Sequence, residues 1–234
     1  MALKLLDQKV SRGEVTRQAL MRAAERLFAE KGANNVTIRE IVETAGQKNE
    51  SALQYHFKNL EGLIAATHRD RDEQIAMCRV RYFEALEVKK NAPSLRDVAK
   101  IMVQPTFELA RGQADFRRYI RAFSLSLASS DVPSMIALRR GSSESDGQLA
   151  SLLRSILTQL DDEAFKRRID SAIRYVSVSV YSHAQQVNAF RGKTSDLFIH
   201  HLIDTLVGLL AAEESSDTSD LSQAVAIFEG RSEE

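Results

Sequence analysis

Residues that interrupt helices or cross-link chains are scarce in this sequence. Its 234 residues contain three prolines, ten glycines, one cysteine and no tryptophan. The lone Cys78 excludes an intramolecular disulfide and a cysteine-rich zinc site, so a reducing cytoplasm is the expected compartment. With so few breaks, long stretches dominated by Ala, Leu, Arg and Glu predict a mostly helical protein.

Long apolar runs are also missing. No run approaches the ~18 residues that a membrane-spanning helix requires, and the N-terminus lacks the apolar segment of a signal peptide. We therefore expect a soluble, cytoplasmic protein with no membrane partner.

The chain also lacks an excess of charge of either sign. Lys plus Arg and Asp plus Glu each number 32. Proteins that package DNA depend on dense positive charge, so this balance argues against that class. Residues 1–58 nevertheless hold ten basic and seven acidic side chains, a net of +3, against −3 for the remainder. That sign suits an N-terminal module facing nucleic acid.

The first predicted helix has apolar residues at the three- and four-residue spacing of one buried face. Those residues are Leu20, Ala23, Ala24, Leu27 and Phe28. The exposed face is assigned to Arg17, Arg22, Glu25 and Arg26. Gly32 is the expected cap in a left-handed conformation.

A second helix is predicted to begin after Thr37 and to stop at Gly46. Thr37 and Glu40 have the spacing of a capping box, in which each satisfies a backbone N–H of the other. This helix is short, and its inward face is formed by Ile38, Ile41 and Val42.

A third short helix, at about 50–57, is expected to bury Leu53 and Phe57. Two interpretations of its start remain open. Ser51 has capping-box spacing to the residue three positions on, whereas Asn49 is a competing N-cap.

Helices continue through the rest of the chain, interrupted by short polar or glycine-containing segments. We predict a linker helix at about 60–79 and a helical body at 80–212, with a mobile loop from Gly141 to Gly147. A tail is expected at 213–234, and its acidic, serine-rich stretch from Glu213 through Asp220 is expected to be disordered or loosely held. A short helix bearing Leu221, Ala224, Val225 and Phe228 could dock from it onto the body.

Three short helices, the last two joined by a glycine-containing corner, match the helix-turn-helix plan within residues 1–59. The segments "TRQALMRAAERLFAEKG", "VTIREIVETAG" and "ALQYHFKNLEGL" together resemble the DNA-binding domain of the TetR family of bacterial transcriptional regulators. The resemblance covers about residues 16–63. It implies an all-α protein, a homeodomain-like helix-turn-helix domain followed by a larger antiparallel helical regulatory and dimerisation domain.

Side chains near the third helix are the predicted DNA contacts. Base readout is assigned to Gln47, Lys48, Asn49, Ser51, Gln54 and Tyr55, because amide and other polar groups pair with base edges in the major groove. Phosphate contacts are assigned to Thr37, Arg39, Tyr55, His56 and Lys58. Tyr55 could instead pack on the first helix, and His56 could close a local hydrogen bond.

The sequence departs from the common family pattern at two places. One additional residue lies between the corner glycine and Phe57, as in a family subtype that carries the longer turn, and Gln47–Lys48 stand where Val-Ser is usual. Leu60 occupies a position where many members have a phosphate-binding lysine, a role that Lys58 could take over.

Aromatic and methionine side chains of the larger domain are the candidates for a pocket that binds a small, largely apolar effector. They are Met102, Phe107, Phe116, Tyr119, Phe123 and Tyr175, with Met135 beside them. Ordinary core packing is the alternative for each of them. The nearby Arg117, Arg118 and Arg121 could meet an anionic group of a ligand or simply lie at the surface.

Two segments, at about 164–190 and 196–212, are apolar over so wide an arc that each must bury two faces. We predict that they pair with their two-fold mates in a homodimer. A two-fold dimer predicts a palindromic operator on double-stranded DNA.

The residues therefore predict a DNA-binding regulator, a repressor released by an effector, with a ligand-dependent activator as the alternative. No cofactor or metal is expected. A helical metalloenzyme is the competing class, since His68 with Asp72, and His200 with Asp204, have the spacing of two ligands on one helix face. Neither pair has an evident third ligand, so we do not expect an enzyme.

Overall fold

A computed structural model describes residues 11–32, 35–89, 91–129 and 144–230. Within these ranges no β-strand occurs, and every helix of seven or more residues is an α-helix. The helices are α1 (Arg12–Lys31), α2 (Ile38–Thr44), α3 (Ser51–Phe57), α4 (Leu60–Lys89), α5 (Leu95–Gly112), α6 (Ala114–Ser129), α7 (Glu144–Ile156), α8 (Asp162–Ala184), α9 (Gly192–Ala211) and α10 (Ser216–Gly230). The predicted all-α fold is confirmed.

Helices α1 to α3 form a small three-helix domain whose core is continuous with that of the larger domain. Leu20, Ile41 and Leu53, one from each helix, are at most 1% exposed. Helix α6 packs along both α1 and α8, and α4 packs on α1, α3, α5 and α7. The N-terminal domain is thus attached to the body through α4 and α6.

The caps of the first two helices agree with the sequence. Gly32 has φ +80°, and its N–H donates to the carbonyl of Phe28. The capping box of Thr37 and Glu40 is present. Helix α2 ends in a Schellman motif, because Gly46 has φ +70° and the N–H of Gln47 reaches the carbonyl of Val42 at 2.9 Å.

Neither interpretation of the start of α3 holds in full, although Asn49 does bind a backbone N–H of this helix. The side-chain oxygen of Asn49 accepts the Ser51 N–H at 2.9 Å. The expected box of Ser51 and Gln54 is wrong, since Glu50 occupies the N-cap position without a side-chain hydrogen bond and the helix begins at Ser51.

The predicted exposed face of α1 is wrong at one position, Glu25. It was expected on the exposed side, but it is 0% exposed. A buried guanidinium, Arg71 of α4, neutralises its charge. Polarity alone therefore misassigned this position.

Several helix limits also differ from the expectation. Helix α4 continues to Lys89, about ten residues beyond the predicted linker helix, and α8 ends at Ala184. Of the predicted 141–147 loop, the residues from Glu144 onward are helical and 141–143 lie outside the described residues.

In the described part of the tail, α10 begins at Ser216, so the stretch through Asp220 that was expected to be disordered is largely helical. The apolar side of α10 does not dock on the body as expected, because Leu221 is 68% and Val225 54% exposed. The side chain of Phe228 lies outside the described part of the chain. Arg167 of α8 holds the start of this segment through Glu214 and the hydroxyl of Ser222.

No single described helix is long and apolar enough to cross a membrane. One bent pair, α9 with the beginning of α10, reaches that length and composition across a 64° bend.

Candidate nucleic-acid interface

The inner side of α3 anchors it to its domain. Leu53 is 1% and Phe57 6% exposed, and the guanidinium of Arg17 on α1 lies 5.8 Å from the centre of the Phe57 ring. Both residues were predicted to be buried, and both predictions are confirmed. The opposite side of this helix is left to solvent.

That solvent side carries most of the side chains predicted to read bases. Exposed among them are Lys48, Asn49, Ser51, Gln54 and Tyr55. Tyr55 is 84% exposed, so its alternative assignment, packing on the first helix, is wrong. Gln47 is half-buried, and its Nε2 donates to the carbonyl of Ala45 at 3.4 Å.

A shallow concave surface of about 740 Å³ lies at the corner between α2 and α3. It is lined by Gly46, Gln47, Lys48, Asn49, Ser51, Ala52, Tyr55 and His56. Because backbone, amide, ammonium and hydroxyl groups border it together, this surface offers both donors and acceptors to a polar partner.

His56 closes the edge of this surface. Its ring meets that of Tyr55 edge-on, with centroids 4.9 Å apart. Its Cε1 lies close to Gly13 at the start of α1. The histidine therefore lies beside the beginning of α1.

The two residues of the predicted phosphate set at α2 already have partners. The hydroxyl of Thr37 accepts the Glu40 N–H at 3.2 Å and donates to the Glu40 carboxylate at 2.9 Å. Lys31 and Thr37 hold the pKa of Glu40 at about 2, so this carboxylate stays charged at neutral pH. Arg39 pairs with Glu43 at 2.9 Å on the exposed face of α2. Phosphate contacts by either residue would share or replace these bonds.

At the end of α3, Lys58 is exposed and has φ +71°, a conformation that a side chain seldom adopts. Leu60, at the start of α4, is half-buried and packs against the core. Lys58 is therefore the cation available at this end of the helix, while Leu60 has a structural role.

The residues predicted to line an effector pocket fall into separate groups. Phe116, Tyr119 and Phe123 of α6 form one aromatic cluster with His68 of α4, whose Nδ1 lies 3.0 Å from the Tyr119 hydroxyl. The edge of Phe28 on α1 also reaches this cluster, at 5.5 Å from Phe123.

Phe107 belongs to a second aromatic group at the junction of α8 and α9, where it meets Phe190 and Phe198. Met102 is half-buried on α5, and the Tyr175 hydroxyl bonds to Thr205 of α9. Met135 lies outside the described residues. The structure therefore does not bring all of these residues to one place.

One residue of each pair considered as metal ligands has another partner. Asp204 forms an ion pair with Arg96, and His68 faces Tyr119. In the part of the chain that the structure describes, no group of three or more His, Cys, Asp or Glu side chains lies close enough to hold a metal ion.

Apolar side chains are exposed where α8 and α9 meet. A cavity of about 320 Å³ is lined by His183, Gln186, Thr194, Leu197, Phe198 and His201. Leu197 is 70% exposed, and the His183 ring stacks on Phe198 with centroids 4.0 Å apart. This surface lies on the two helices predicted to dimerise.

Comparison with known proteins agrees with the N-terminal geometry. Residues 20–67 match the family described as bacterial regulatory proteins, tetR family. No curated protein matches the chain.

Solved structures resemble the chain at low identity, with TM-scores below 0.5. Salmonella enterica GusR is 17% identical over 88% of this chain and 100% of its own, with a TM-score of 0.45. RolR, solved with resorcinol, is 15% identical over 88% and 97%, with a TM-score of 0.49. The multidrug binding protein EbrR, solved with imidazole, is 17% identical over 85% and 97%, with a TM-score of 0.43. Similarity at this level says nothing about the ligand of this chain.

Proposed function

We propose that the chain, whose residues 20–67 match the tetR family of bacterial regulatory proteins, is a DNA-binding transcriptional regulator of that family, a homodimeric repressor released from a palindromic operator by a small molecule. The observation that carries the proposal is the exposed polar side of α3, backed by the buried Leu53 and Phe57. A helix fixed on one side and polar on the other suits insertion into the major groove.

Base readout is proposed for the exposed side chains of α3 and the preceding turn. The amide of Gln54 can pair with N6 and N7 of adenine, while Lys48 can donate to guanine. Asn49, Ser51 and Tyr55 flank them on the same surface. Gln47 could contact a base only after its side-chain hydrogen bond to the carbonyl of Ala45 is broken.

Phosphate contacts are proposed for the rim of this surface. Lys58 and His56 lie at one end of α3, and Thr37 and Arg39 lie at the start of α2. Such contacts set the register of the domain on DNA but carry no sequence information. The ion pair of Arg39 with Glu43 is exposed, so its replacement by a phosphate has a low energetic cost.

The homodimer is proposed to form through α8 and α9. The exposed Leu197 and half-buried Phe198 border an apolar cavity on this face, and a two-fold mate would cover them. The same pairing would place two recognition helices on one face of the dimer, as a palindromic operator requires.

The effector is proposed to act at the aromatic cluster of Phe116, Tyr119 and Phe123. These rings are apolar, yet His68 and the Tyr119 hydroxyl supply polar groups among them. A ligand that prefers a displaced arrangement of α4 and α6 would lower operator affinity by its differential binding to the two states.

Selection of bound fragments from the source genome tests the DNA-binding proposal. We expect a palindromic sequence to be enriched, with half-sites one or more helical turns apart. A reporter placed behind that sequence then distinguishes repression from activation. Recovery of fragments without a shared sequence would reject specific recognition.

A further inference from the structure

A buried ion pair joins the N-terminal domain to the linker helix. Arg71 of α4 and Glu25 of α1 are each 0% exposed. The Nε and Nη2 groups of Arg71 donate to the two carboxylate oxygens of Glu25, both at 2.8 Å. This is the parallel two-bond geometry in which a guanidinium fixes both the distance and the angle of a carboxylate.

The same guanidinium also reaches α6. Its Nη2 lies 3.1 Å from Oδ2 of Asp115, and its carbon lies 5.2 Å from the Phe116 ring and 5.8 Å from the Tyr119 ring. Its Nη1 donates to Gln74 on its own helix at 3.0 Å. One side chain therefore contacts both helices, α1 and α6, that meet at the domain junction.

A second arginine ties α1 to α4. Arg22 donates to both oxygens of Glu25, at 2.9 and 3.0 Å, and to Asp70 of α4 at 2.5 Å. Its Nε is 3.7 Å from Asp115. Two guanidinium groups and three carboxylates thus form one network across three helices.

Burial makes this network sensitive to small displacements. Desolvation opposes the charge of Arg71, but the hydrogen bonds and charges of Glu25 and Asp115 outweigh it and raise its pKa. A shift of α1 that broke the two-bond pair would separate two buried charges and leave Glu25 with Arg22 alone and Arg71 with Asp115 alone, which is unfavourable. The junction therefore favours a single orientation of α1, or a distinct second one in which the charges are solvated.

We propose that Arg71 is the positioning residue that sets the orientation of the DNA-binding domain on the regulatory domain through its pair with Glu25. Since α1 carries α3 by way of Arg17 and Phe57, fixing α1 also fixes the recognition helix. Opening of this pair is the step by which a displaced α6 releases DNA, a consequence that rests on the proposed function.

The aromatic cluster of Phe116, Tyr119 and Phe123 connects the proposed effector site to the pair of Arg71 and Glu25. Phe116 and Tyr119 both lie against the Arg71 guanidinium. Tyr119 also contacts His68. A ligand that displaced the first turn of α6 would change the contacts of Asp115 and Phe116 with Arg71 together.

The distance between the two domains within one chain tests the proposal. Spin labels are placed at Tyr55→Cys on α3 and Lys166→Cys on α8, both exposed sites, in a Cys78→Ala background. Labelled chains are diluted with unlabelled ones so that only distances within a chain are read. The parent is expected to give one narrow distribution, and Arg71→Met and Glu25→Gln are each expected to broaden or shift it.

Arg79→Met is the matched control. Arg79 lies two turns further along α4, is also buried, and binds Ser145 and Asp146 of α7 rather than α1. We expect it to leave the distance between the domains unchanged. If Arg71→Met proves unfolded by circular dichroism, Arg71→Lys, which keeps the charge but not the two-bond geometry, is measured instead. A folded Arg71→Lys or Glu25→Gln protein with the parent distribution would overturn the proposal.

Operator affinity supplies a second measurement that separates this proposal from the proposed function. If a tenth of the molecules keep the competent orientation, apparent affinity falls by about tenfold. Arg71→Met is therefore expected to bind the operator about tenfold more weakly, with Arg79→Met close to the parent. Failure of the parent to bind any selected DNA would reject the regulator, whereas the distance measurement would still decide the role of Arg71.

Discussion

Gly62 approaches the carbonyl oxygen of Phe57 so closely that a Cβ atom on the glycine would lie 1.9 Å from that oxygen. This contact joins the end of α3 to the first turn of α4. The side chain of Asn59 strengthens the same joint by accepting the Gly62 N–H at 2.8 Å. The recognition helix and the linker helix therefore meet without room for a side chain between them.

Gly62→Ala is expected to destabilise the protein, because the methyl group must push α4 away from the main chain of α3. Overpacking of this kind costs about 1–3 kcal/mol. Thermal unfolding measures the loss. Gly147→Ala in α7 is the control, since nothing lies within 4 Å of its added methyl and alanine is favoured in a helix by about 0.5–1 kcal/mol. Equal melting temperatures for Gly62→Ala and the parent would contradict the close approach.

Leu197→Asp is expected to convert the dimer to monomer, because it places a charge in the apolar face of α9 that we propose a second copy covers. Leu221→Asp on α10 is a matched control, since Leu221 is exposed to 68% and Leu197 to 70%. Sedimentation at micromolar concentration should show a monomer for the first variant and a dimer for the second. A parent protein that sediments as a monomer would reject the dimer itself.

His183 is expected to make stability depend on pH. Its Nε2 accepts the N–H of Phe190 at 3.1 Å, so it cannot carry a proton there, and burial lowers its pKa. As the pH falls below the ordinary histidine pKa of about 6.5, the imidazole therefore binds a proton in the unfolded chain but not in the folded chain. Stability should fall by at most about 1.4 kcal/mol per pH unit until the folded pKa is reached.

Urea unfolding at pH 7.5 and 5.5 measures this effect. His183→Gln is the comparison, because an amide oxygen can accept the Phe190 N–H but does not titrate. We expect the parent to lose more stability than the variant between the two pH values. Identical losses would show that another group is responsible.

Local sequence signals predicted the N-terminal domain well. Thr37 with Glu40 and the Gly46 corner follow from the chemistry of helix ends, which involves only neighbouring residues. Leu53 and Phe57 follow from apolar spacing. These features depend on contacts within a few residues, so the sequence displays them directly.

Contacts between distant residues were the ones missed. Glu25 was placed on the exposed face because its partner, Arg71, lies 46 residues away. Its only signal was a charged residue next to the apolar positions of α1. Likewise, apolar spacing identified the apolar side of α10 but could not show that Leu221 stays exposed in a single chain.

The candidate effector residues show the same limit. Phe107 and Phe123 are both aromatic, buried and close in sequence, yet one faces α9 and the other faces α1 and α4. Composition could identify them as aromatic and apolar, whereas their separation into two clusters depends on how α5 and α6 pack.

A titration of the selected operator with Gln54→Ala and Lys48→Ala tests the central claim most directly. Gln113→Ala and Lys166→Ala, at exposed positions of the larger domain, serve as controls. A lost base contact costs about 1–3 kcal/mol. Gln54→Ala and Lys48→Ala should therefore each bind the operator at least about fivefold more weakly while remaining dimeric. The two controls should bind it as the parent does. Unchanged operator affinity for Gln54→Ala and Lys48→Ala would contradict the assignment of this surface to DNA recognition.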